Sequence, residues 1–532
     1  MIARRLGHWL QWLGANTIYI LVLSLALQSD PSEAARADHS VWRDRMLRVS
    51  FEEIDMPDAG EQMGLYGIGT YQRFKPWLYG GITAYGAATG ERGGFFTGGY
   101  TLGMDWQLPD NWSVDAGAYV GAGGGGAAAQ GGGLMLRSHA GLKYSFDWGA
   151  LGLNYSYVKF PNGEISSDAI GLAVEIPFRS PVRGWGEAEL AAAEYFGDDW
   201  SKVSRHRSHL AARGRAYSPN SGSQTTAGQS LDDSLGLVGV EYAYFLDDHW
   251  FATFETAGAF SGGVGGYAEL LAGLGYRFPL ASNDRWALLP ALTIGGAGGG
   301  KVDTGGGFVA RANLGLEYRL LPELSIILDG GYLTAPDGNF DTPYIGINLA
   351  FVMESFARDQ KGRSVKKSDL ITTTQWRFRA VHQWYFDAQR EGGSHRDMEL
   401  LGAKIDWLGG DWWYLTGQAL SAYDGEAGGY SEGHWGAGVY SPVWNNWQLY
   451  AEMLLGAGGG GGVDSGNALL YKPGVGLEFN LDQDFAVQAG AGKIISNSGN
   501  LDATYIDVNF VWRFGRAQKG IAREQPELSV FQ

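Results

Sequence analysis

GAGGGGA (121–127), GGAGGGK (295–301) and GAGGGGG (456–462) are three versions of one glycine burst, and the sequence around them decides the fold. A Trp opens the segment before each burst: Trp112, Trp286 and Trp447. The segment after it ends in GLKY (141–144), GLEY (315–318) or GLEF (476–479). Further on come PNG (161–163), PDG (336–338) and NSG (497–499), then a closing segment rich in large apolar residues. Repetition at this scale means that one structural unit recurs. We read the units as 45–178, 208–353 and 375–514.

The closing segments fix the type of unit. Ile170, Leu172, Val174, Ile176 and Phe178 alternate with Gly171, Ala173 and Glu175. The second unit repeats this with Ile345, Ile347, Leu349, Phe351 and Met353 against Gly346, Asn348 and Ala350. The third places Ile506, Val508, Phe510, Trp512 and Phe514 against Asp507, Asn509 and Arg513. Period two puts each apolar set on one face of a sheet. Eight such segments fit in each unit. Their connections alternate in kind. Short turns carry apolar or Trp residues, as in LPDNW (108–112), FLDDHWF (245–251) and VWNNW (443–447); the opposite set is longer and polar, as in YSPNSGSQTTAGQS (217–230).

Composition agrees. The chain has 532 residues, 84 Gly, 13% aromatic residues, 18% charged residues and no Cys. A glycine- and aromatic-rich chain with alternating rather than continuous apolarity fits a transmembrane β-barrel, with aromatics at the interfaces. The absence of Cys excludes disulfide frameworks and thiolate metal sites. A net charge of −17 argues against nucleic acid, which needs a basic footprint. A soluble β-sandwich would also alternate, but it would bury its aromatics in a core rather than band them at strand ends. Over 45–514 the chain resembles a Gram-negative outer-membrane β-barrel protein. The resemblance lies in the pattern, so it identifies an architecture and no named family. It implies residence in the outer membrane, with lipid as a partner. Eight strands per unit return the chain to its starting side and imply periplasmic termini.

The start of the chain reads as an export signal, 1–37. Arg4 and Arg5 precede the apolar run 18–27, which is too short to span a bilayer, and Ala35-Arg36-Ala37 fits a cleavage site. Residues 179–207 and 354–374 read as periplasmic connectors, the first with a helix-like EAELAAAEYF (187–196). Residues 515–532 read as a periplasmic tail.

The fold class is therefore an all-β transmembrane antiparallel barrel with 24 strands in three eight-stranded repeats. Two closures remain open: three tandem small barrels, or one 24-stranded barrel. The long connectors lean towards three. So do the small or apolar inward positions Gly67, Gly239, Gly402, Leu289 and Leu454, which suit a narrow interior. The inward basic positions are Arg48, Arg137, Arg213, Arg215, Arg311, Arg377, Arg379 and Lys472. Matching carboxylates share their face, for example Glu241, Glu255, Glu269, Glu317 and Asp329 in the second unit. In a narrow barrel these charges must pair, because unpaired buried charge is costly. In a wide one they would line an anion-attracting wall.

Catalytic and cofactor motifs are weak. GxxxxGK (295–301) is followed by Val302 where a phosphate loop needs Ser or Thr, and it lies at a hairpin tip, so we read it as a flexible loop. His139 and His434 face inward, but Ser138 points to the opposite face from His139. We expect no cofactor, no metal and no enzyme. The leading expectation is a scaffold or surface role with narrow conduction left open. The alternative is a wide diffusion or export pore holding a protein partner in its lumen or on its periplasmic side. A lipid-modifying enzyme is a distant third.

Overall fold

A computed structural model describes residues 41–58, 60–280, 284–359 and 361–519. The export signal lies outside the described residues. Among the described residues the fold is all-β, with 27 strands and closed barrels.

The first ring comprises β1 (Trp42–Asp55), β2 (Gln62–Lys75), β3 (Leu78–Thr89), β4 (Phe96–Gln107), β5 (Trp112–Gly124), β6 (Leu134–Phe146), β7 (Gly149–Lys159) and β8 (Ser166–Arg183). Each strand pairs antiparallel with the next, and β8 returns to β1 through Arg48↔Glu175 and Phe51↔Leu172. After β9 (Glu189–Ala191) and helix α1 (Ala192–Phe196) comes the second ring. Its strands are β10 (Ser204–Tyr217), β11 (Leu235–Phe245), β12 (Trp250–Ser261), β13 (Ala268–Tyr276), β14 (Phe278–Pro279), β15 (Trp286–Gly298), β16 (Phe308–Leu321), β17 (Leu324–Thr334) and β18 (Asp341–Ala357). Strand β14 extends the β13 edge against β15, and β18 closes onto β10. A short β19 (Arg363–Ser364) leads to the third ring. That ring holds β20 (Leu370–Gln389), β21 (His395–Leu408), β22 (Trp413–Asp424), β23 (Ser431–Tyr440), β24 (Trp447–Gly459), β25 (Leu469–Asn480), β26 (Phe485–Ser496) and β27 (Asp502–Lys519), with β27 closing onto β20.

One 24-stranded barrel would need β8 to pair along β10 and β18 along β20. Among the described residues neither ladder forms, and each first strand is taken by its own closing strand.

The alternation in the sequence sets what faces where. Leu172 is 65% exposed and Ile347 59%, while Ala173 and Asn348 beside them are buried. Outward tryptophans gather at the short-turn end, where β1 begins and β27 finishes: Trp77, Trp106, Trp112 and Trp148, then Trp250 and Trp286, then Trp412, Trp444 and Trp447. Among the described residues no helix is long and apolar enough to cross a membrane, which says nothing of strands.

Three local expectations need adjustment. The helix-like 187–196 forms a helix only over Ala192–Phe196, because 189–191 adds an edge strand to β20. Phe196 then packs on Trp42 and Phe356, with ring centroids 5.7 and 5.2 Å away. The segment 515–519 is not tail but the end of β27, where Gly515 and Arg516 pair with Arg183 and Val182 of β8.

The glycine bursts are the third. They are not free hairpin tips. Gly298 in the second ring meets Gly94 in the first: a Cβ on Gly298 would lie 2.4 Å from the Gly94 nitrogen, and Gly298 sits at φ 147°. A backbone bond, Gly93 N to Gly305 O at 3.0 Å, accompanies this approach. The same contact recurs between Gly459 and Gly266, and between Gly125 and Gly429. The bursts thus join ring two to ring one, ring three to ring two, and ring one to ring three, in a closed cycle. Two tyrosines support it, Tyr66 donating to Leu270 O (3.4 Å) and Tyr100 to Gly402 O (2.5 Å).

Candidate functional site

Inside each ring the period-two pattern aims polar side chains at one another across a narrow lumen. In the first ring Arg48 Nε donates to Glu175 Oε1 at 2.8 Å, directly across the closing ladder. Its Nη2 lies 3.0 Å from Asp115 and donates to Tyr79 Oη at 3.0 Å. Lys143 bridges Asp105 and Glu175, both at 3.0 Å. Arg137 grips Glu52 through two bonds of 2.7 Å, and Ser156 adds a third to the same carboxylate.

Glu255 is the hub of the second ring. It accepts from Arg213 (2.7 Å), Arg215 (2.7 Å) and Arg311 (2.7 Å). Sequence spacing offers Glu317 or Glu269 as the Arg311 partner, but Glu317 is held by Arg277 at 2.7 Å and Glu269 stands 4.0 Å away. Register explains this. Glu255 on β12 lies across the lumen from β16, a relation that sequence distance does not reveal. In the third ring Arg379 donates to Asp406 (2.8 Å), Glu452 (3.2 Å) and Gln488 (3.1 Å), while Arg377 lies 3.0 Å from Asp406. Lys472 bonds Glu432 and Gln383.

All eight inward basic side chains are thus buried within the rings, each against at least one carboxylate. Arg379, Lys472, Glu255 and Glu478 have 0% exposure, so the networks fill the lumen rather than line a channel. Buried networks of this kind hold only when nearly every member is satisfied.

Above the charges, at the long-loop end, each lumen is stoppered by apolar side chains. The first ring uses Ile54, Met63, Leu65, Phe95 and Met135; the second Leu235, Val264, Val302 and Phe340; the third Met398, Leu400, Val463 and Leu501. Tyrosines stitch stopper to network. Tyr217 and Tyr267 both donate to Glu269 at 2.9 Å, and Tyr385 and Tyr430 to Glu432 at 2.8 Å. Alternation alone does not single out these tyrosines. Their signal is the recurring Tyr-x-Glu at 267–269 and 430–432, which the first ring replaces with Phe-x-Thr at 95–97.

His139 Nε2 lies 3.1 Å from Asp115 and 3.3 Å from Arg48, and Ser138 is exposed on the other face. His434 Nδ1 meets Gln418 at 3.2 Å. Both imidazoles are members of the buried networks. Among the described residues no group of His, Asp or Glu is arranged to hold a metal ion.

The architecture, closed barrels with apolar outsides and an aromatic band, is that of outer-membrane β-barrel proteins. No family model matches the chain, and no curated protein does. Solved structures are similar at low identity. A mutant of the ferric enterobactin receptor PfeA from Pseudomonas aeruginosa is 10% identical, with 88% of this chain and 80% of that one covered at a TM-score of 0.27. The siderophore receptor PirA from Acinetobacter baumannii is 10% identical over 90% and 81%, TM-score 0.27. OpdQ from Pseudomonas aeruginosa is 10% identical over 89% and 98%, TM-score 0.21. Superpositions this loose carry nothing about residue roles, ligands or transport.

Proposed function

We propose that this chain is a non-enzymatic, non-conducting scaffold of the outer membrane: three eight-stranded barrels fused in one polypeptide, with termini and connectors periplasmic and long loops outside. The single observation that carries the reading is the filling of each lumen by paired charges below an apolar stopper. A diffusion pore needs a hydrated path, and a lumen partner needs room. Paired charges and stopper side chains occupy that space in all three rings.

Membrane residence is supported by the outward apolar faces and the tryptophan band. Replacing Leu172 with Arg is expected to cost about 2–4 kcal/mol if that position sits near the bilayer midplane. Urea unfolding followed by tryptophan fluorescence in lipid vesicles would show it. The same change at exposed Glu323, in the turn between β16 and β17, should be neutral.

Planar-bilayer recording tests the closed lumens. The purified chain is expected to insert without steady channels, and any residual conductance should be brief and small. Large, stable steps would remove the proposal.

A further inference from the structure

The outward faces of the rings also enclose a space of their own. A cavity of about 2060 Å³ runs among them and on into the terminus end of the first ring, where Asp105, Lys143 and Glu175 also line it. Its walls include Val49 and Ile82 of the first ring, Val240 and Phe254 of the second, and Ile405 and Trp435 of the third. These are strand positions of the lipid-facing set, turned here towards the axis. The glycine contacts close the long-loop end. At the other end β8 pairs with β27, and Arg516 Nη2 donates to Ser355 Oγ of β18 at 2.6 Å. An apolar space this large, against the ~30 Å³ share of one water, is poorly wetted, and left empty it would deny its walls dispersion partners.

The terminus end of the chamber is different in chemistry. Arg45 of β1 and Arg516 of β27 both line it. The strongest charged neighbours of Arg45 are Arg516 and Arg43, all of one sign. Its Nε is buried without a hydrogen-bond partner, and its Nη2 reaches only Gln72 Oε1 at 3.5 Å. The carboxylates nearby are engaged: Asp44 takes Arg179 at 2.7 Å, and Asp359 takes Ser204 and His206, the latter at 2.9 Å. Two guanidiniums that repel each other at the foot of an apolar chamber call for an anion with a hydrophobic tail.

We propose that the axial chamber holds a phospholipid of the periplasmic leaflet, its acyl chains against the ring walls and its phosphate between Arg45 and Arg516. This rests on the membrane reading above, since the bilayer supplies the molecule. The headgroup end of the chamber lies at the periplasmic side, where phospholipid rather than an external ligand is at hand.

Native mass spectrometry of the full chain, extracted from membranes and washed through a delipidating detergent, tests it. The wild-type chain is expected to keep one phospholipid as a discrete mass. Arg45→Gln with Arg516→Gln should reduce that adduct at least ~tenfold, the scale of losing one charge-assisted bond. Arg396→Gln, an exposed change at the start of β21, should retain it. Wild-type protein that is folded by heat-modifiability yet carries no phospholipid, or carries detergent alone, overturns the proposal. So does a folded double variant that retains the lipid fully. Heat-modifiability and bilayer recording on the same sample separate failure of this inference from failure of the membrane reading, which would show as an unfolded or conducting chain.

Discussion

Replacing Glu255 with Ala is expected to destabilise the second ring by about 3–5 kcal/mol, the cost of removing one member of a buried ionic group. Three guanidiniums converge on this one carboxylate, from Arg213, Arg215 and Arg311. Arg213 also has Asp329 at 2.8 Å beside its contact with Glu241, while Arg215 and Arg311 reach Glu269 at the longer distances of 3.7 and 4.0 Å. Without Glu255 the remaining positive charges repel inside a narrow, low-dielectric space. The stopper of Leu235, Val264 and Phe340 covers them on the long-loop side. Urea unfolding of the full chain in detergent, read by the shift between folded and unfolded mobility, would measure the loss. Were the lumen wide and hydrated, the same substitution would cost little.

Replacing Gly298 with Val is expected to break the contact between the first and second rings while leaving each ladder intact. The residue sits at φ 147°, where a side chain adds about 1–3 kcal/mol of backbone strain. Its Cβ would also fall 2.4 Å from the Gly94 nitrogen, a backbone atom that has no rotamer with which to yield. A spin-label pair at Glu91 and Lys301 should report a longer and broader distance in this variant. Gly263→Val separates the two causes. Gly263 has φ 72° but open space around it, so it carries strain without collision and should leave the distance unchanged.

How much of this was legible in the sequence follows from what alternation encodes. Period two tells which residues share a face, so the contrast of Leu172 with Gly171 and of Ile347 with Asn348 reads directly from the chain. Length and turn chemistry count the strands of one unit. Alternation does not say which strand closes on which, because β8 would present the same faces to β1 or to another ring. The cross-lumen partners were hidden for a related reason: Arg311 and Glu255 are three strands apart around the ring. Near the long loops the pattern itself fails. Leu65 and Met135 are inward and apolar beside the outward Tyr66, Leu134 and Leu136, so this part of the stopper looks like ordinary strand. The glycine bursts were visible but ambiguous. A run of glycines reads as flexibility or as close approach, and only the opposing Gly94, Gly266 and Gly429 decide between them.

A projection image of the purified chain in a lipid bilayer tests the central claim most directly. Three small rings in a triangular cluster, each with density across its middle, are the predicted result. One wide ring around an open centre would contradict it.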